Sequence, residues 1–207
     1  MEKGLIFVIS GPAGCGKGTV VGKLREMMPN IGFSVSATTR PPRPGEIDGV
    51  NYHFITRGKF TELLEAGEVL EHTEYCGNMY GTLKSEAVRT LNEGRDIILE
   101  IEVEGALQIK SMMPDDAVAV MLIAPDPEEL ERRLRGRGTE SDEVIKRRLK
   151  RSVEEIGLAE NYDYVVINET GKTDECAAKI QGIINAEHLR YQRMKDTVNG
   201  YAAGQKI

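Results

Sequence analysis

The sequence contains no tryptophan, and only 5% of its 207 residues are aromatic. Its three cysteines, Cys15, Cys76 and Cys176, are odd in number, far apart and free of any C-x-x-C spacing. This pattern favours neither a disulfide framework nor a zinc site. The three histidines are equally scattered, so these residue types give no indication of a metal-binding cluster.

Long hydrophobic runs are also lacking. The N-terminal apolar run, Leu5 to Ile9, is much shorter than a signal-peptide core with its cleavage site, and no later run approaches the length of a membrane span. The formal net charge of −6 disfavours non-specific binding to nucleic acid. We therefore expect a cytoplasmic protein without a membrane or nucleic-acid partner, whose ligand is a small polyanion. Its length is enough for one buried core with inserted subdomains.

The clearest motif is a glycine-rich segment between an apolar run and a helical pattern. The sequence from Gly11 to Thr19 is GPAGCGKGT, which fits the phosphate-binding spacing G-x-x-x-x-G-K as far as Lys17. Glycines let backbone N–H groups curl inward, and the following helix N-terminus and lysine add positive charge. The motif would continue with Ser or Thr, but Gly18 stands there and Thr19 follows. We therefore expect Mg²⁺ to be held less directly, through phosphate oxygens, waters and carboxylates. The alternative is an ordinary glycine-rich turn.

Strand and helix patterns alternate along most of the chain. This alternation predicts an α/β fold with a mostly parallel sheet, helices on both faces and ligands at the carboxyl ends of the strands. Asp126 and Pro127 are typical of a helix start, and a closing helix is predicted from Ile180 to Tyr191, with a frayed tail from Asn199. We expect a single domain with a core at 1–35, 83–125 and 157–207, an insertion at 36–82 and a lid at 126–156.

Charged and phenolic side chains concentrate in the insertion and the lid. Arg40, Arg43, Tyr52 and Tyr80 can each donate to a phosphate, and a guanidinium does so with two parallel hydrogen bonds. Seven arginines lie between 132 and 151. Some of them form helix-surface pairs, such as Arg133 with Glu129, whereas those beside Gly136 and Gly138 suit a lid that stabilises a transferring phosphoryl group. The alternative is that these arginines are solvated surface residues.

Three carboxylates lie close to apolar strand residues: Glu71, Glu100 and Glu102. When ionised they can accept hydrogen bonds from a base or bind Mg²⁺ through water. The alternative is that they are strand-end acids that face solvent.

Four segments together resemble guanylate kinase: SATTRPPRPGE from Ser36, Gly49 with Tyr52, GNMYGT from Gly77, and RGRG from Arg135. The resemblance covers nearly the whole chain. It implies the P-loop nucleoside monophosphate kinase fold, in which 36–82 binds GMP. It also implies reversible transfer of the ATP γ-phosphoryl to GMP or dGMP, a step of purine nucleotide metabolism and GMP recycling.

The resemblance also implies roles for individual residues. Ser36, Glu71, Thr82 and Glu102 match the guanine-reading positions, and Arg40, Arg43, Tyr52 and Tyr80 match those that hold the GMP phosphate. The catalytic positions correspond to Lys17, Arg43, Arg137 and Arg148. The ATP-binding positions correspond to Gly11, Pro12, Ala13, Gly14, Cys15, Gly16, Lys17, Gly18, Thr19, Arg133, Arg137 and Asn168. Mg²⁺ is expected with ATP, and its candidate protein contacts are Thr19, Glu100 and Glu102.

The chemistry of the base agrees with a carboxylate at position 71. Guanine presents two donors, N1–H and the N2 amine, whereas adenine presents an acceptor at N1. A polar site of this kind can discriminate by about 10⁴-fold. Two departures from the family pattern are the Gly18-Thr19 ending, which resembles adenylate kinases, and glutamates at 100 and 102 where aspartates are common. Two alternatives stay open, a kinase that uses AMP and a non-catalytic guanylate-kinase-like interaction module.

Overall fold

The centre of the protein is a five-stranded parallel sheet. The computed structural model describes residues 3–75, 77–136 and 141–204. The strands, in chain order, are β1 (Ile6–Ser10), β2 (Gly32–Phe33), β7 (Ile97–Glu100), β8 (Ala117–Ile123) and β9 (Tyr164–Ile167), and their order in the sheet is β2-β7-β1-β8-β9. Every residue of β1 is buried, which is typical of a parallel strand with helices on both of its faces.

Four helices cover this sheet. On one face, α1 (Lys17–Met27) and α7 (Thr173–His188) bury Leu24 and Ile180 against Phe7 of β1. On the other face, α3 (Lys84–Asn92) and α4 (Val103–Met112) pack around Ile6 and Ile109. Because successive side chains of a strand point to opposite faces, Ile6 and Phe7 contribute to different clusters.

A second sheet has four strands and coincides with the predicted insertion, which it exceeds by one residue, Leu83. It contains β3 (Ala37–Thr38), β4 (His53–Phe54), β5 (Val69–Tyr75) and β6 (Asn78–Leu83), in the order β4-β3-β6-β5. The β5–β6 and β3–β6 pairs are antiparallel. One helix, α2 (Arg57–Glu65), begins at Thr56, whose hydroxyl accepts the Lys59 N–H at 3.2 Å and so caps the first turn.

Two further helices lie in the predicted lid region, α5 (Pro127–Arg135) and α6 (Asp142–Ile156). As the sequence predicts, Asp126 caps α5, because its carboxylate accepts the Glu129 N–H at 2.7 Å. Leu134 and Ile145 bury the contact between the two helices. A 3₁₀ turn at Ala159–Asn161 then leads to β9. The predicted turn at Arg137 and Gly138 lies outside the described residues.

The C-terminal region differs from the prediction of one closing helix. The chain turns at Arg190, so α7 ends at His188 and a separate helix, α8 (Tyr191–Ala202), follows. Leu189 is 73% exposed, so this leucine marks the break between two helices and adds nothing to a buried stripe. The predicted frayed tail also starts too early, since α8 continues past Asn199. No helix among the described ranges has both the length and the apolar character that a membrane crossing requires.

Candidate active site

A cleft of about 540 Å³ opens at the carboxyl ends of β1 and β7. Both sheets contribute to its wall, together with α6. The predicted site residues that line it are Pro12, Ala13, Gly14, Gly16, Lys17, Gly18, Thr19, Ser36, Arg43, Tyr52, Glu71, Tyr80, Glu100, Glu102 and Arg148. The structure therefore brings most of the predicted residues to one place.

The phosphate loop, 11–19, turns between β1 and α1. Gly16 has a φ of 92°, and a Cβ added there would lie 2.5 Å from Asn168 Nδ2. Glycine is therefore required at this position both by the left-handed backbone and by the close approach of Asn168. Lys17 is the first residue of α1, so the loop leads directly into the N–H groups of the helix start, which favour an anion.

The Lys17 ammonium lies over the loop, with its side chain only 12% exposed. Its Nζ donates to the Gly11 carbonyl at 2.6 Å and lies 3.5 Å from Glu102 Oε1. Burial lowers the pKa of Lys17, but the charges of Glu102, Cys15 and Glu100 outweigh this effect and the net shift is upward. The amine therefore stays protonated at neutral pH and offers a full positive charge to a phosphate.

Asn168 and Arg133 lie behind the loop and do not line the cleft. Asn168 is 5% exposed, and its Nδ2 donates to the Cys15 carbonyl at 2.8 Å. Arg133 donates to the same carbonyl at 3.3 Å and to the Asn168 carbonyl at 2.8 Å. Glu129, which sequence reasoning took only as a surface partner, accepts the Arg133 Nε at 2.6 Å. These contacts hold the loop in shape from below.

The phosphate-binding side chains predicted in the insertion divide into two groups. Arg43, Tyr52 and Tyr80 line the cleft, whereas Arg40 does not. Both terminal nitrogens of Arg40 donate to the carboxylate of Glu46 at 2.9 Å, and its guanidinium lies 5.5 Å from the centroid of the Tyr52 ring. Glu46 also accepts the Arg43 N–H at 2.7 Å. One carboxylate therefore ties together both predicted arginines.

Glu71 is a buried carboxylate on β5 that faces the cleft. It is 4% exposed, and the hydroxyl of Thr82 donates to its Oε1 at 2.7 Å. The pKa of Glu71 is raised to about 7, chiefly because burial disfavours the charged form. The hydrogen bonds from Thr82 act against this rise, and the charges of Glu102 and Glu104 add to it. Thr82 is fully buried and acts through Glu71. A ligand with two N–H donors would therefore complete the bonding of this carboxylate in its ionised form.

Helix α6 supplies a basic wall opposite the phosphate loop. Arg148 lies on this wall, as predicted, and three neighbours that sequence reasoning missed accompany it, namely Arg151, Ser152 and Glu155. The Arg151 Nε donates to Glu155 at 2.7 Å, and the Ser152 hydroxyl donates to the Arg148 carbonyl at 2.9 Å. Their spacing on α6 was the available signal, but sequence reasoning only counted Arg151 within the arginine cluster and did not consider Ser152 or Glu155. Arg137 lies outside the described residues, so its predicted role stays a prediction.

Comparison with known proteins agrees with this geometry. A family model described as "Guanylate kinase" matches residues 3–187. This chain belongs to the guanylate kinase family. A guanylate kinase of Lactococcus lactis subsp. lactis (strain IL1403) is 51% identical over 193 residues, which are 93% of each chain. A guanylate kinase of Streptococcus agalactiae serotype III (strain NEM316) is 50% identical over 93% of this chain and 91% of its own length.

Among solved structures, the crystal structure of guanylate kinase from Anaplasma phagocytophilum is similar. It superposes with a TM-score of 0.76 at 35% identity, over 93% of this chain and 90% of that chain. The predicted family and the predicted parallel-sheet P-loop fold are therefore confirmed.

In this member of the guanylate kinase family, Gly18 stands where the loop motif has Ser or Thr, and the structure shows what lies beside it. A Cβ added at Gly18 would lie 3.4 Å from Glu100 Oε1, so the carboxylate of Glu100 stands where a side chain at position 18 would point. Burial raises the pKa of Glu100, whereas the charge of Lys17 lowers it. Within the described ranges, no group of three or more His, Cys, Asp or Glu residues could hold a metal ion by itself. A metal here would need phosphate oxygens and waters as its other ligands.

Proposed function

We propose that this guanylate kinase family member, an ATP:GMP phosphotransferase, holds its two nucleotides end to end in the cleft. The phosphates of ATP lie in the loop 11–19, GMP lies against the second sheet, and the γ-phosphoryl passes between them reversibly. The observation that supports this most strongly is that one cleft is lined by both Lys17 and Glu71. The donor and acceptor sites therefore face each other without an intervening wall.

The guanine base is read by hydrogen-bond acceptors. The carboxylate of Glu71 accepts from guanine N1–H and the N2 amine, with Ser36 and Glu102 beside it and Thr82 holding its second face. Adenine would oppose its N1 acceptor to a carboxylate oxygen, which leaves two buried acceptors unpaired. The contacts assigned to the base and the phosphate leave the ribose 2′-hydroxyl unused, so dGMP is also an acceptor.

The phosphoryl group moves without a protein nucleophile, because an oxygen of the GMP phosphate is the attacking atom. Arg43, Tyr52 and Tyr80 orient that oxygen, with Arg40 placed behind them by Glu46. Lys17 and Arg148 neutralise the charge on the oxygens of the transferring group, and we assign the same role to Arg137. These side chains therefore act by positioning the reactants and by stabilising charge. Because Glu46 and the loop already hold the donors in place, the donors need little reorganisation during the reaction.

Mg²⁺ is the cofactor that fits this donor set. Thr19, Glu100 and Glu102 would hold it, largely through water, because Gly18 has no hydroxyl and Glu100 stands over that position. The ion would supply positive charge that offsets the negative charge of the phosphates.

The three segments of the chain take separate parts in this scheme. We assign the core to 1–35, 83–125 and 157–207, GMP binding to 36–82 and the lid to 126–156. The second sheet falls inside 36–82 except for Leu83, the last residue of β6, and the α5–α6 pair falls inside 126–156, which supports these bounds to within one residue. A cytoplasmic location, where ATP and GMP are available, remains our prediction.

The test is an ADP-release assay with a nucleotide panel, run with Mg²⁺ present and with Mg²⁺ chelated. GMP and dGMP should turn over, AMP, CMP and UMP should react at least about 10³-fold more slowly, and chelation should stop the reaction. Equal rates with AMP would refute the proposed base recognition.

A Lys17→Ala variant tests whether the loop is catalytic, and Lys23→Ala, a lysine of α1 that does not line the cleft, serves as its control. We expect a loss in kcat of at least about 10²-fold for Lys17→Ala only, because an electrostatic stabiliser of the transferring group is removed. Parent-like turnover by Lys17→Ala would favour a non-catalytic interaction module.

A further inference from the structure

The first turn of α4 lies directly against the carboxylate of Glu71. A Cβ added at Gly105 would lie 2.2 Å from Glu71 Oε2 and 2.9 Å from its Cδ. Both distances are far below van der Waals contact, and both atoms belong to the group that we assign to guanine reading. The space that a side chain at position 105 would fill is therefore occupied by the end of Glu71.

The backbone of Gly105 does not itself require glycine. Gly105 is an ordinary residue of α4 and has no left-handed φ. Glycine at such a position is less favourable than alanine by about 1 kcal/mol, because its backbone is more flexible in the unfolded chain. The helix thus gives up stability at this position, and the contact with Glu71 provides the physical reason.

Hydrogen bonds between β5 and α4 keep the Glu71 carboxylate close to the helix. Gln108 of α4 pairs with the backbone of His72, since its Oε1 accepts the His72 N–H at 3.2 Å and its Nε2 donates to the His72 carbonyl at 3.0 Å. The Thr73 hydroxyl donates to Glu104 of α4 at 3.1 Å. These bonds tie the two residues of β5 that directly follow Glu71 to α4, while the Thr82 hydroxyl of β6 donates to the Glu71 carboxylate.

We propose that Gly105 is a positioning residue for guanine recognition, whose missing side chain lets the Glu71 carboxylate lie flat against α4 at the depth that the base requires. This inference rests on the proposed role of Glu71. A methyl group at position 105 pushes the carboxylate out of line with guanine N1–H and N2. The three atoms nearest to this methyl group all belong to Glu71, so we expect the phosphate loop to keep its shape.

The experiment compares Gly105→Ala with Gly182→Ala, a helical glycine of α7 where an added Cβ would meet nothing within 4 Å. For Gly105→Ala we expect kcat/KM for GMP to fall about 10- to 100-fold, through a higher KM for GMP, while KM for ATP stays within about twofold of the parent value. Gly182→Ala should match the parent in all three quantities. A Gly105→Ala protein with parent-like KM for GMP would overturn the inference.

The same substitution in a Glu71→Ala background separates positioning from general damage. Removal of Glu71 makes room for the methyl group, so Gly105→Ala should then change kcat/KM for GMP by less than about twofold. An equal loss in both backgrounds contradicts the inference, as does a double variant that fails to fold. A single variant that unfolds while the double variant folds supports it. If Glu71→Ala alone leaves the preference for GMP over AMP intact, the proposed base recognition has failed before Gly105 is considered.

Discussion

At the scale of single residues, the role that we propose for Glu71 in base recognition depends on its ionisation. Burial raises the pKa of this carboxyl group to about 7. The two donors of guanine require the carboxylate, so binding of GMP must expel a proton from a population that is partly neutral at pH 7. A neutral Glu71 would instead offer its own O–H, which guanine cannot accept at N1.

We therefore predict that the affinity for GMP rises with pH and levels off above about pH 7. Because the ionised form binds, each pH unit below the pKa of Glu71 should raise the apparent Kd for GMP by up to about tenfold. Calorimetric titration between pH 5.5 and 8.5 measures this dependence. The phosphate of GMP also titrates in this range, so Glu71→Gln is the control that keeps every other group. The same pH dependence in both proteins would contradict the assignment.

Glu46 is a second residue with an organising role, since it accepts hydrogen bonds from both arginines that we propose as phosphate-binding residues. Its carboxylate accepts both Arg40 nitrogens and the Arg43 N–H, and these bonds lower the pKa of Glu46. Hydrogen bonds to a charged group contribute about 1.5–3 kcal/mol each, so Glu46→Gln should reduce kcat/KM for GMP about tenfold or more. Glu74→Gln is the matched control, because Glu74 pairs with Arg57 on an exposed part of the same subdomain. Equal effects of the two substitutions on kcat/KM would show that Glu46 does not position Arg40 and Arg43 for GMP.

At the scale of the element, the phosphate loop depends on a supporting layer that belongs to other parts of the chain. Asn168 and Arg133 both bond to the Cys15 carbonyl, although they lie 153 and 118 residues away in sequence. Gly16 is the loop residue that approaches this layer, with only 2.5 Å between its would-be Cβ and Asn168 Nδ2. The loop therefore keeps its shape only while no side chain at position 16 displaces Asn168.

Substitution by alanine should therefore change the free energy of unfolding in opposite directions at two glycines, Gly16 and Gly22. Gly16→Ala places a side chain in a left-handed conformation, at about 1–2 kcal/mol, and also forces Asn168 away from Cys15. Gly22→Ala, in the middle of α1 with nothing within 4 Å of the added Cβ, should stabilise the fold by up to about 1 kcal/mol. Urea denaturation and titration with an ATP analogue measure both effects. Equal stability of the two variants would show that the strain at Gly16 is absent.

The same elements show how far the sequence could predict the fold. The loop, the start of α5 at Asp126 and the buried strands were predictable, because local spacing and capping chemistry determine them. The break at Leu189 was not, since apolar residues at helical spacing on both sides of a turn look like one helix until burial is known. The links from Glu46 to Arg40 and from Gly105 to Glu71 were also missed, because a motif identifies the groups that touch a ligand and gives no sign of the groups that hold them.

At the scale of the whole molecule, the cleft lies between parts that are joined by few chain connections. The second sheet is attached to α4 through β5, and the α5–α6 pair is attached to the core through a small cluster that includes Ala124 and Ala13. We expect the two parts to close over both substrates, because water must be excluded while the phosphoryl group moves. X-ray scattering should show a smaller radius of gyration with GMP and an ATP analogue together than with either alone. An unchanged radius would contradict closure.

The most direct test of the end-to-end arrangement is a crystal structure of the protein with GMP and a non-hydrolysable ATP analogue. The arrangement predicts that Glu71 oxygens lie within about 3 Å of guanine N1 and N2, with Arg43 on the monophosphate and Lys17 on the triphosphate. A complex in which the guanine lies away from Glu71, or in which Lys17 turns away from the triphosphate, would contradict it.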